Sequence, residues 1–125
     1  MPILLMMALS VVGVGFNIAR AETTKVVAST SDKATLIAEG KEIFARGCSS
    51  CHGLNAEGAG IAPSLIGVGA ASVDFQVSTG RMPMADMSQQ AMRKKPVYTA
   101  EETAALAAYV ASLAPGPAEI GRAHV

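Results

Sequence analysis

Tryptophan is absent from this 125-residue chain, and three Phe and two Tyr are its whole aromatic complement. Side chains alone therefore make a thin core, in a length that allows one domain at most. Cysteine is scarce: only Cys48 and Cys51 are present, and a disulfide across so short a loop would leave the adjoining His52 unexplained. A structural zinc site needs about four ligands, and only these two thiols, His52 and the remote His124 are on offer. Charge of one sign is lacking too. Ten Lys and Arg balance ten Asp and Glu, which gives no argument for a nucleic-acid partner. No strand pattern of useful length and no internal repeat is visible.

What is present is concentrated in Cys48-Ser49-Ser50-Cys51-His52. Residues three apart on one helical turn share a face, so both thiols can reach the two vinyl groups of one porphyrin and form thioethers. His52 follows at once and would lie under the ring as the proximal iron ligand. C-x-x-C-H is the spacing of covalent haem attachment. A thioredoxin-like redox pair would instead sit at a strand-to-helix junction, and no β-branched run precedes Cys48. A covalent haem would also supply the large apolar nucleus that the side chains do not.

A sixth iron ligand is expected in Thr79-Gly80-Arg81-Met82-Pro83-Met84. Thioether sulfur is a soft axial ligand, and His/Met ligation raises the reduction potential. Pro83 biases Met82 toward extended backbone, while Gly80 permits the turn that aims the side chain inward. Met82 is the candidate, with Met84 and Met87 as competitors in a chain of 7 Met.

The ends carry other information. Ile3 to Ala19 is almost wholly apolar and leads into Ala19-Arg20-Ala21, so residues 1–21 read as a signal peptide or a membrane anchor. Either places the rest outside the cytoplasm, on the extracytoplasmic face of the cell membrane. No Lys or Arg precedes the run, so the true start is expected upstream of Met1. Residues 119–125, Glu119-Ile120-Gly121-Arg122-Ala123-His124-Val125, are what the opening codons of a widely used sequencing adapter encode. The natural frame is expected to leave this sequence near Ala118, and His124 then has no function.

Between the ends the pattern is helical. After a polar linker, residues 22–33, the apolar positions Leu36, Ile37, Gly40, Ile43 and Phe44 mark one helix face running into Cys48. Thr99 and Glu102 form a capping box, followed by Leu106, Tyr109, Val110 and Leu113 on one face and Pro115 as the stop. Gly40 costs its helix about 1 kcal/mol relative to Ala. A close crossing with the second helix, Tyr109 packing over the gap, would account for it. Gly53 to Gly60 is glycine-rich loop, and Pro63 to Gly67 a compact apolar turn. Ala70 to Thr79 predicts about two helical turns with Val73, Phe75 and Val77 available to the core. The run Arg93-Lys94-Lys95 reads as a solvated loop or a patch that steers an acidic partner.

Taken together, the Gly40 and Phe44 helix, Cys48 to Gly53, Pro63-Ser64-Leu65, Gly80-Arg81-Met82-Pro83 and Leu106 to Val110 resemble a class I cytochrome c domain over residues 34–114. The resemblance implies an all-α fold with crossed N- and C-terminal helices around a covalently bound haem c. It implies that the Pro63 carbonyl accepts the His52 Nδ1 proton, that Leu65 packs on the porphyrin, and that His52 and Met82 ligate the iron. More narrowly, Ala62 to Gly69 and Val73 to Pro83 resemble the first haem domain of the dihaem cytochrome c subunit of the actinobacterial menaquinol:cytochrome c reductase, the bcc complex. A second haem domain and a C-terminal membrane helix would then lie beyond residues 115–118, the start of a linker. The partners so implied are the other subunits of the reductase and a terminal oxidase or another cytochrome, with the membrane met through the N-terminal segment. Two closed axial positions leave no place for a substrate, so the domain alone would be a carrier. The alternatives are a free or tethered monohaem carrier and a haem enzyme or gas sensor with an open iron site.

Overall fold

Four helices follow one another in the computed structural model, which describes residues 32–87 and 90–117. The signal or anchor segment, the adapter-like tail with His124, and nearly all of the N-terminal linker lie outside the described residues. We number the helices α1 (residues 32–47), α2 (Ser49–His52), α3 (Gly69–Ser78) and α4 (Ala100–Leu113). Helix α1 already includes residues 32 and 33, which the sequence pattern assigns to the linker; helix ends are read poorly from periodicity alone. Among the described residues the only extended pairing is one isolated bridge, Ala59 with Ala62.

From Thr35 onward the chain forms one unit whose core is the crossing of α1 and α4. Phe44, Ala105, Leu106 and Val110 are each 1% exposed. Phe44 meets Tyr109 with ring centroids 5.3 Å apart and planes tilted by 54°, the offset geometry that aromatic quadrupoles favour. Gly40 sits in the crossing. A Cβ there would collide with the Ala105 carbonyl and lie 2.8 Å from Tyr109 Cβ. The expected approach of Tyr109 is present, but the closer neighbour is backbone, which cannot rotate away.

Helix α4 opens on the expected capping box. The Glu102 amide donates to Thr99 Oγ1 at 3.2 Å and the Thr99 amide to Glu102 Oε2 at 2.8 Å. Leu106, Tyr109 and Val110 are buried and Leu113 packs at the edge. The chain leaves helical geometry at Ala114, one residue before Pro115. Pro115 to Pro117 then runs alongside the start of α3, where the Ala71 amide donates to the Pro117 carbonyl at 3.4 Å.

Helix α3 corrects one expectation. Val77 is buried and Val73 packs against the core, but Phe75 is 49% exposed. At about 100° per residue, positions 73 and 77 share a face and 75 points away from it. Phe75 instead lies under Arg81, whose guanidinium carbon is 4.8 Å from the ring centroid.

Candidate functional site

Three elements carry the candidate residues. The first is the end of α1. The Cys48 amide still bonds to the Phe44 carbonyl at 2.9 Å, but Cys48 itself leaves helical geometry at φ −126°. Its carbonyl then accepts the amides of Cys51 at 3.2 Å and His52 at 3.0 Å, which winds the single turn of α2. The motif therefore does lie on one turn. Both cysteines are only half-buried, and no disulfide joins them.

The second element is the loop from Gly53 to Val68, which wraps round His52. Its pivot is Ala56, fully buried at φ +59°. The Ala56 carbonyl accepts the Leu65 amide at 2.9 Å and the Ser64 hydroxyl at 3.3 Å. The His52 carbonyl accepts the Gly58 amide at 2.7 Å. These bonds set the Pro63 carbonyl 2.8 Å from His52 Nδ1. With its proton donated there, the ring is held in one tautomer and its other nitrogen, Nε2, keeps a free lone pair. Leu65 packs against the core while Pro63 stays exposed.

The third element follows α3. Gly80 adopts φ +73°, and a side chain there would collide with the Lys94 backbone. The Met82 amide donates to the Gln76 carbonyl at 2.9 Å, which folds Met82 back on α3. Met82 packs against the core cluster, whereas Met87 is 66% exposed and Met84 is not part of that packing.

Burial, and then the neighbouring Cys51, push the Cys48 thiol up to about 11, the direction opposite to the lowered thiol of a thioredoxin-type pair. Among the described residues, which do not include His124, no group of three or more His, Cys, Asp or Glu is gathered to hold a metal ion.

A haem fits the residues present. His52 offers one lone pair from a fixed ring, the two thiols lie on the same turn, and Met82 offers a soft sulfur. Gln76 Oε1 is buried without a hydrogen-bond partner among the described residues.

Several contributors had no signature in the sequence. Ala56 is a small residue in a glycine-rich loop, and its positive φ is unusual for a residue with a Cβ. Gln76 acts through its backbone carbonyl. Tyr98, whose hydroxyl lies against Gly47, has its acidity weakened by burial first and by Cys48 second. Lys94 belongs to the expected solvated run but is part-buried beside Met82.

Residues 37–114 match the family model described as cytochrome c, and the chain belongs to that family. Membership carries a covalently bound haem c with its iron. The chain is 48% identical over 94 residues to the cytochrome bc1 complex cytochrome c subunit of Corynebacterium efficiens, covering 74% of this chain and 32% of that protein. It is 41% identical over 116 residues to the subunit of the same name from Mycobacterium leprae, covering 92% of this chain and 40% of the relative. The counterpart in Corynebacterium diphtheriae is 45% identical over 94 residues, covering 74% of this chain and 34% of its own length. The chain thus spans 32% to 41% of the length of the curated relatives it matches.

Proposed function

We propose that this chain is an electron-relay domain in which Cys48 and Cys51 hold haem c covalently and His52 and Met82 are the axial ligands. The observation that carries the reading is His52, on one helical turn with both thiols, donating Nδ1–H to the Pro63 carbonyl at 2.8 Å. When bound, the haem supplies a one-electron couple at iron. The protein attaches, orients and tunes it. Cys48 and Cys51 would hold the group through thioethers, each thiol adding sulfur and hydrogen across a vinyl group so that attachment consumes no electrons. The Pro63 carbonyl makes His52 a more basic ligand and keeps its ring from turning. The Met82 thioether would favour the ferrous state and close the iron to an outside ligand. Leu65 would pack against the porphyrin.

We further propose that the domain serves as the first haem domain of the cytochrome c subunit of a quinol:cytochrome c reductase of the bcc type. The names of its relatives and its identity to them support this. In that role it relays electrons toward a terminal oxidase or another cytochrome, on the extracytoplasmic face of the membrane. Its apolar N-terminal segment would be the leader or anchor; no helix among the described residues is long and apolar enough to cross a membrane.

Covalent attachment is tested by producing the chain with a cytochrome maturation system. The haem is expected to survive acid-acetone extraction and denaturing electrophoresis. It should be lost to extraction when Cys48 and Cys51 are both replaced by Ala. Release of haem from the unmodified chain would refute attachment.

A further inference from the structure

The basic run Arg93-Lys94-Lys95 is not uniform. Arg93 and Lys95 are exposed, whereas the Lys94 side chain turns inward. Its Nζ donates to the Gly80 carbonyl at 2.6 Å and to the Pro83 carbonyl at 2.6 Å. Those carbonyls stand two residues before Met82 and one residue after it. An ammonium has three donors and no acceptor, so one side chain can bind both ends of the loop at once. Hydrogen bonds with a charged donor are about twice as strong as neutral ones. The Lys94 backbone also lies so close to Gly80 that a Cβ there would collide with it.

We propose that Lys94 is a positioning residue for the Met82 thioether: its ammonium clamps the Gly80 to Pro83 loop from both sides and fixes the direction of the side chain between them. The inference rests on the reading of Met82 as an axial ligand. The loop meets α3 through the Gly80 amide on the Val77 carbonyl at 3.0 Å, the Met82 amide on the Gln76 carbonyl at 2.9 Å and Arg81 over Phe75. These ties start from a glycine, which adds backbone freedom. Two further ties on one cation bracket Met82 at both ends, at Gly80 and at Pro83. Loss of Lys94 therefore acts on the loop before it acts on the core.

The test uses the haem-loaded full chain and two readouts: the temperature at which the far-red charge-transfer band of methionine-bound ferric haem is lost, and hydrogen exchange at the Met82 amide. Lys94→Ala should lose the band at a lower temperature and exchange the Met82 amide roughly tenfold faster or more, the scale of a lost hydrogen bond to a charged group. Lys94→Arg, which keeps charge and donors, should restore both toward the unmodified protein. Arg93→Ala removes the same charge from an exposed position and should change neither. If Lys94→Ala yields no loaded protein, Lys94→Gln, neutral but still a donor, carries the comparison and should fall below the unmodified protein in both readouts.

Unmoved band loss and exchange in these Lys94 variants, or equal effects from Arg93→Ala, would overturn the proposal. Met82→Ala separates the two levels. A band that survives Met82→Ala overturns the ligand reading and this proposal with it. A band abolished by Met82→Ala but untouched by Lys94→Ala and Lys94→Gln overturns only the clamp.

Discussion

Phe44 and Phe75 differ mainly in where their helices turn them, and their energetic weight should differ accordingly. Phe44 is 1% exposed against Tyr109, so Phe44→Ala should cost about 3 to 5 kcal/mol, the usual range for a buried aromatic. Phe75 is 49% exposed and gives up mainly its stacking with Arg81. Phe75→Ala should cost about 1 kcal/mol or less, the scale of an exposed cation–π contact with some lost surface. Urea midpoints of the loaded protein check both, and equal losses would contradict the assignment of Phe75 to the outer face. The three methionines near Pro83 divide in the same way. Met82→Ala should abolish the far-red band of the ferric protein, whereas Met84→Ala and Met87→Ala should leave it in place. Loss of the band in either of those two instead would move the ligand.

At the scale of elements, the two main helices make opposite demands on substitution. The capping box satisfies two amides at the start of α4. Thr99→Ala should destabilise the loaded protein by about 1 kcal/mol, within the range measured for lost N-caps. Gly40→Ala tests the crossing more sharply, because Ala is the better helix former by about 1 kcal/mol. The added Cβ meets the Ala105 carbonyl, so we expect a net loss of about 1 to 3 kcal/mol, typical of overpacking. A gain in thermal stability would mean that the helices cross elsewhere.

What could be read in advance at this scale was local. The thiol spacing, the Thr99 and Glu102 cap, and the Gly40 gap each depend on residues within about one turn or on a single glycine, so the sequence exposes them directly. Phe75 was misassigned because three apolar residues at alternate positions look equally available, and only the helical turn separates them. The histidine partner is a backbone carbonyl, which no residue type announces; Pro63 was reached through family resemblance. Lys94 was hidden by distance. It lies 14 residues from Gly80, inside a basic run of the kind that usually faces water.

At the scale of the whole molecule, a core sparse in aromatics is paired with the haem that the family carries. The loop pivoting on Ala56 holds the imidazole, and the loop that carries Met82 is tied by Gln76 and Lys94. With His52 and Met82 as the proposed ligands, a sealed iron would suit electron relay and exclude chemistry that needs an open position. The most direct test is carbon monoxide binding to the ferrous, haem-loaded chain, followed in its visible spectrum beside Met82→Ala. The unmodified protein should leave the gas unbound, while Met82→Ala should bind it readily. Ready binding by the unmodified protein would contradict the sealed His52/Met82 site and favour a haem enzyme or gas sensor.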